Sequence, residues 1–567
     1  MQLAGVELPT VMADAVRACR PHFAAAAMFS ALINLLYLAP ALYMLQVYDR
    51  VLTSGGKMTL LFVTLALVVA LVTLAALDAI RGRLLVRASA RLDAILSPRI
   101  LQLMLTRGGR ENVQAMRDFD TVRQASASPA IGALFDLPWA PIFIIVCFLL
   151  HIWIGVLAIA SIILLLFIAR RHQDMTRQTI EDSSRALAAS HASEQAAAVQ
   201  AGTLRGLGMV GAMVNRQLTF RAAGINNVAR AQFIGSRYTA SSRFVRLFVQ
   251  SAALGLGALL AVAGQMSAGA IIAGSILLGR ALQPVDGLIG GWSTLTSARA
   301  AMARLAETLG QPMEADRIRT LLPDPAGRVD VEQVGVRGSD GRPILLGISF
   351  STSPGEILGI IGPSGSGKTT LAKVIAGAIE ADVGTVRIDG AQRSDWDPDA
   401  LGRFVGYLPQ EPSLFEGTIK ENIARFQPPG ESNLDAEVIA AAKLAGVHEL
   451  ILAMPQGYDT MLGPMGSGLS AGQSQRIALA RALFRDPPIL ILDEPNAFLD
   501  ADGEAALLDA LQKARAGGAT VLLVAHRKSV LAIADRLLVI DAGKPKMLGP
   551  AKDVVARLTA LAAESAA

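Results

Sequence analysis

The sequence predicts a chain of two unlike parts, an all-α polytopic membrane domain with six spanning helices followed by an α/β domain. Three observations carry that expectation. The 567 residues exceed one ordinary domain. Hydrophobic residues make up 52% of them and charged ones only 17%, and the mean hydropathy of +0.44 lies on the apolar side of soluble composition. The long uncharged runs fall in the first 290 positions, whereas beyond Val329 short β-rich runs (EILGIIG, TVRIDG, ILILDE, TVLLVAH) alternate with helical patterns.

No charge interrupts residues 23–48 or 58–77, and each run is long enough for the roughly 20 residues of a spanning helix. Residues 137–169 are too many for one span. His151, Trp153 and Gly155 in their middle suit a tight interfacial turn, which gives spans three and four. Residues 247–279 break at Gly264, Gln265, Met266 and Ser267, and apolar character resumes after Arg280 as far as Leu288, which gives spans five and six. The first run exceeds the apolar core of a removable signal peptide, so it reads as a retained span.

The connections 78–132 and 170–246 are long, polar and rich in arginine, including Arg81, Arg83, Arg87, Arg91, Arg170, Arg171 and Arg177. Positive charge marks the cytoplasmic side, so both long loops and both termini are expected there. The same charge argues against a nucleic-acid partner. The net charge of +5 and pI near 9.3 would suit one, but the basic residues sit beside apolar runs and no Lys/Arg block interleaved with aromatics occurs. The expected organisation is a short cytoplasmic segment (1–22), a membrane domain (23–310), a linker (311–328) containing TLLPDPAGR, and the α/β domain (329–567). Cys19 and Cys147 lie in or beside apolar segments and read as small buried hydrophobes, leaving no disulfide framework or Cys/His metal cluster. Arg280, inside the sixth apolar run, should face a cavity, another helix or an interface, or else snorkel.

The strand-like EILGI runs into Gly362, Pro363, Ser364, Gly365, Ser366, Gly367, Lys368 and Thr369, with Thr370 following, and so fits G-x-x-x-x-G-K-[ST] between a strand and a helix. Backbone N–H groups of such a loop wrap phosphates, Lys368 reaches the outer ones, and the Thr369 hydroxyl can ligate magnesium. Further on, an apolar strand (489–492) ends in Asp493 and Glu494. Asp493 suits a magnesium carboxylate, and Glu494 is placed to polarise an attacking water.

Between those elements, Leu469-Ser470-Ala471-Gly472-Gln473 resembles the LSGGQ signature of ABC ATPases. The resemblance extends to Gln410 in GYLPQ as the Q-loop glutamine, to Asp500 in NAFLD as the D-loop aspartate and to His526 in VAHR as the switch histidine, each in the family's order. It implies an ABC exporter fold, ATP and Mg2+ as cofactors, and Gln410, Glu494 and His526 as catalytic residues. It implies that Thr369, Gln410 and Asp493 hold the metal, and that Ser470, Ala471, Gly472, Gln473 and Asp500 join the phosphate loop in binding nucleotide across a head-to-tail pair of domains. With one ATPase domain and six spans per chain, the second copy is expected to be identical. Ala471 departs from the usual signature glycine, and VEQVGVRGSDGRPIL lacks the upstream aromatic that many members stack on adenine.

In the membrane half, YMLQVYDRVLTS (43–54), FDLPWAPIF (135–143) and GRALQPVDG (279–287) resemble the type I secretion exporters for proteases and lipases. That resemblance covers nearly the whole chain. It implies an unfolded polypeptide cargo with a C-terminal signal, a periplasmic membrane fusion (adaptor) protein, a TolC-like outer-membrane channel and a place in the bacterial inner membrane. About twenty residues precede the first run, so no N-terminal peptidase domain is expected. The family's coupling helices would fall near Phe119-Asp120-Thr121 and Arg205-Gly206-Leu207. A lipid or drug exporter, with an almost identical ATPase domain, is the alternative.

Overall fold

A computed structural model describes every residue except 4, 108, 312–321, 339, 429, 431–432, 528–530 and 567. The chain divides into two compact units, Met1–Met313 and Glu314–Ala567.

The first unit opens with a hairpin of β1 (Gln2–Leu3) and β2 (Val6–Glu7), then α1 (Thr10–Leu36), α2 (Ala39–Gln46) and a π-helical turn (Val47–Val51). Next come α3 (Lys57–Arg107), α4 (Gly109–Ser126), α5 (Pro129–Asp136) and α6 (Ala140–Leu150). The unit ends with α7 (Ile152–Val199), α8 (Ala201–Gly206), α9 (Val210–Val262), α10 (Ala268–Gly290) and α11 (Trp292–Gly310). Among the described residues six helical stretches are long and apolar enough to cross a membrane: Thr10–Ser54, Lys57–Thr106, Pro129–Leu150, Ile152–Val199, Val210–Val262 and Ala268–Gly290. Both expected turns occur. His151 breaks the helix and accepts the Trp153 N–H through Nδ1 at 3.3 Å, and Ser267 caps α10 by accepting the Ala270 N–H at 3.2 Å.

One reading changes. The long arginine-rich connections are mostly helix rather than loop: α3 and α7 run unbroken out of the apolar runs as far as Arg107 and Val199 and pack against neighbouring helices there. At 51 residues, α3 extends roughly 75 Å, far beyond a hydrocarbon core of about 30 Å. Phe119, near which a coupling helix was expected, is 1% exposed in the middle of α4 and packs in a cluster with Leu92, Leu96, Ile100, Met302 and Leu305. Arg205 and Gly206 do end the short exposed α8, with Leu207 its C-cap, between two long helices. Helix α1 begins at Thr10, and its early residues Met12, Ala15 and Cys19 join the same cluster as Phe119. Cys19 and Cys147 are both buried free thiols.

The second unit runs through β3 (Val329–Arg337), β4 (Pro343–Ser351), β5 (Ile357–Ile361), α12 (Lys368–Ala376), β6 (Val383–Ile388), β7 (Ala391–Gln392) and β8 (Val405–Leu408). It continues through α13 (Ala471–Leu483), β9 (Ile489–Asp493), α14 (Ala501–Ala516), β10 (Thr520–Val524), β11 (Arg536–Asp541) and β12 (Lys544–Pro550). One sheet is antiparallel, ordered β4-β3-β6-β7. A larger one is ordered β12-β11-β5-β10-β9-β8, with every neighbouring pair parallel except β12 with β11, and a small third sheet pairs Gly417–Thr418 with Met461–Leu462. Strand β9 is buried along its whole length, as a parallel strand covered on both faces should be. Its alternate residues serve two cores: Leu490 and Leu492 pack with Ile477 and Leu479 of α13, while Ile489 and Ile491 pack with Leu371 and Val374 of α12.

Candidate active site

Three adjacent parallel strands end level with one another, and the chemistry-bearing residues leave from those ends. Asp493 of β9 pairs with Val524 of β10, and Val524 pairs with Ile360 of β5. Gly362, Glu494 and His526 therefore emerge side by side at the carboxyl edge of the sheet, where open α/β sheets bind ligands.

The phosphate loop starts at Gly362, where φ is +156° and a Cβ would lie 2.1 Å from the Ile540 carbonyl oxygen, so only glycine lets the loop leave β5 beside β11. Lys368 is 6% exposed, and its ammonium donates to the carbonyls of Gly362 (3.0 Å) and Pro363 (2.8 Å). Burial pulls its pKa below the usual lysine value, against the opposing pull of Glu494 and Asp493. Pro363, Ser364 and Gly365 are exposed, Ser366 is buried, and Thr370 lies half-buried on the first turn of α12.

The structure brings together all three oxygen donors read as metal ligands. Thr369 Oγ1 lies 3.3 Å from Asp493 Oδ1 and 3.5 Å from Gln410 Oε1. Asp493 is fully buried and its Oδ2 has no hydrogen-bond partner. Its pKa is pushed up, first by burial and then by neighbouring Glu494. A hydroxyl, an amide oxygen and a buried carboxylate with a spare oxygen fit a hard divalent cation such as Mg2+.

Glu494 sits at φ +51°, an uncommon conformation for a residue with a β-carbon, and its N–H donates to the Val524 carbonyl at 2.9 Å. Its Oε1 is 3.3 Å from Nε2 of His526.

The signature residues form a separate group. Ser470 is the N-cap of α13 and shares a capping box with Gln473: Ser470 Oγ accepts the Gln473 N–H at 3.3 Å, and Gln473 Oε1 accepts the Ser470 N–H at 2.9 Å. Ala471 is the first residue of the helix, with a negative φ that any residue adopts, so the departure from glycine asks for no left-handed backbone. Close approach matters at Gly472 instead, where a Cβ would stand 2.9 Å from the Phe498 carbonyl oxygen.

Sequence reading missed the residues that tie this group to the sheet edge. Gln475, fully buried, donates to the Pro495 carbonyl at 3.0 Å and the Glu494 carbonyl at 3.5 Å. Arg476 pairs with Asp500, whose carboxylate also accepts the Gly503 N–H at 2.9 Å as N-cap of α14; these contacts hold the Asp500 pKa below the usual carboxylate range. Arg425 holds the far end of α13 by donating to the carbonyls of Arg481 (3.0 Å) and Ala482 (3.1 Å), and its burial lowers its pKa to about 10. The adjacent Gln and Arg after the signature were the only local signal.

In the membrane unit each of the three motifs contributes one aspartate that ties helices together. Asp49 accepts from Ser267 Oγ (2.6 Å) and the Gly269 N–H (2.8 Å) at the start of α10. Asp136 accepts from Asn34 Nδ2 and Arg81 Nη1, both at 2.8 Å, and from Ser30, joining α5 to α1 and α3. Asp286 accepts from Ser242 of α9 and lies 3.3 Å from Arg246. Paired polar groups of this kind are how helices hold one another where water is scarce.

Residues 345–497 match the family described as ABC transporter. The chain is 41% identical to the type I secretion system ATP-binding protein PrsD of Rhizobium meliloti, over 96% of this chain and 94% of that one. It is 31% identical to the cyclolysin secretion/processing ATP-binding protein CyaB of Bordetella pertussis, over 95% of this chain and 77% of that one. Among solved structures, a bacterial Atm1-family ABC exporter with ATP bound superposes with a TM-score of 0.83 at 24% identity, over 97% of this chain and 98% of that one. The chain belongs to the type I secretion ATP-binding proteins, multi-pass ABC transporters that couple ATP hydrolysis to transport.

Proposed function

We propose that this protein exports unfolded polypeptides bearing a C-terminal signal across the bacterial inner membrane, working as a homodimer with a periplasmic adaptor and an outer-membrane channel. The observation that carries this reading is that similarity to a secretion protein runs through both halves of the chain rather than the ATPase half alone. A membrane domain over 23–310, a linker over 311–328 and an ATPase domain over 329–567 fit it. An extended polypeptide exposes peptide groups that hydrocarbon leaves unsatisfied, so its passage needs a polar path, and polar cavities among the spans support one.

In the proposed site, Lys368 and the loop amides bind phosphate charge, and Thr369, Gln410 and Asp493 hold Mg2+, which when bound neutralises charge on the phosphates. Glu494 accepts a proton from the attacking water and His526 holds that carboxylate in place. The exposed N-terminus of α13, with Ser470, Ala471, Gly472 and Gln473, meets the nucleotide of the second copy.

The test uses the reconstituted transporter with C-terminal fragments of a secreted protein encoded beside it. ATPase rate and crosslinking to the spans should both respond. If lipids or small amphiphiles do both while no fragment does either, the lipid or drug exporter replaces this reading.

A further inference from the structure

We infer that Arg243, Arg246 and Arg280 form a binding site for carboxylate groups, at which acidic stretches of the polypeptide cargo are held during export; this rests on the polypeptide reading above. The site is a cavity of about 610 Å³ between α9 and α10. Its volume lies within the usual range for ligand pockets. Arg243, Arg246 and Gln250 share one face of α9, spaced by three and four residues, and Arg280, Gln283 and Asp286 line it from α10.

Charge inside a helix bundle is normally matched. Arg81 meets that rule, lying 2.7 Å from Asp78 and 2.8 Å from Asp136. The cavity does not, since it sets three guanidinium groups against the single carboxylate of Asp286. Arg246 Nε is 3.3 Å from that carboxylate yet is buried without a hydrogen-bond partner. Arg280 lies 3.7 Å from the ring centroid of Tyr37 and donates to Gln283 Oε1 at 2.7 Å, both neutral partners. Arg243 has no ion pair or hydrogen bond among the described residues.

Snorkelling accounts for Arg243 and Arg246, at the cytoplasmic edge of the fifth span. Arg280 lies about 9 Å of helix beyond Asp286, the partner of Arg246, and is held against a ring of the first span rather than extended toward that edge. A carboxylate-bearing peptide answers the surplus of guanidinium groups, whereas a lysine-rich one meets repulsion.

The test places the full-length dimer in phosphatidylcholine nanodiscs and measures anisotropy of labelled peptides of alternating glycine with glutamate, glutamine or lysine. The glutamate peptide should bind about tenfold tighter than the glutamine peptide, roughly the effect of one charge contact, and weaken with salt. Arg280→Gln should erase most of that difference. Arg243→Glu/Arg280→Glu, which leaves one guanidinium against three carboxylates, should shift preference to the lysine peptide, an outcome a misfolded variant would not give. Equal binding of glutamate and glutamine peptides, or an unchanged preference in Arg243→Glu/Arg280→Glu, overturns the carboxylate site while leaving polypeptide export standing. If no peptide binds but laurate does, both readings fall.

Discussion

The imidazole Nε2 of His526 stands 3.3 Å from Oε1 of Glu494, across the ends of two neighbouring parallel strands. A base oriented by a second group is the arrangement that proton abstraction from water asks for. Glu494→Gln should retain nucleotide binding and lose about 10²- to 10⁴-fold in hydrolysis. His526→Ala should lower turnover in the same direction, and the double variant should be little worse than Glu494→Gln alone, because the two act as a unit. Phosphate release and equilibrium nucleotide binding measure this, and turnover near wild type in Glu494→Gln would falsify the assignment.

Asp493 offers a pH test. Its folded-state pKa is raised, so its charged form destabilises the fold above that pKa, and the penalty is relieved as pH falls toward the unfolded value. Without nucleotide and with chelator present, Asp493→Asn should therefore be more stable than wild type at neutral pH, because the amide carries no charge to desolvate. The gain should shrink on acidification, and Mg2+-dependent hydrolysis should be lost at every pH. Paired thermal melts across pH provide the check, and a gain that grows on acidification contradicts it.

At the signature, Ala471→Gly should be tolerated, with a loss of stability of at most about 1 kcal/mol, the penalty for glycine replacing alanine in a helix. Gly472→Ala should be the damaging change, since its methyl meets the Phe498 carbonyl at 2.9 Å. ATPase rates of the two single variants decide the matter. The prediction fails if Ala471→Gly proves the worse of the two.

The Arg81–Asp136 pair should be costly to break singly. Arg81 would keep Asp78 at 2.7 Å, so the costly loss is that of Arg81, which leaves the Asp136 carboxylate, 19% exposed, with only neutral partners, at about 3–5 kcal/mol. Arg81→Met should thus unfold at lower temperature than the double variant Asp136→Ala/Arg81→Met, in which neither of these two charges remains. A double variant as unstable as the sum of its parts would refute the coupling.

What is written locally was legible in the chain before any coordinates. Apolar runs longer than a bilayer is thick disclose six spans, and the loop from Gly362 to Thr369, the strand ending at Asp493 and Glu494, and Ser470 to Gln473 are contiguous stretches whose chemistry is legible without coordinates. Tertiary structure decided what depends on residues far apart in the chain. That Asp49 holds the start of α10, that Asp136 joins three helices, and that Gln475 reaches back to the carbonyl of Glu494 are contacts spanning from 19 to 220 positions. The polar connections became helix for the same kind of reason. Charge pattern reports which solvent a segment meets, whereas its conformation there is settled by the helices beside it, as Phe119 shows by packing against Met302 and Leu305.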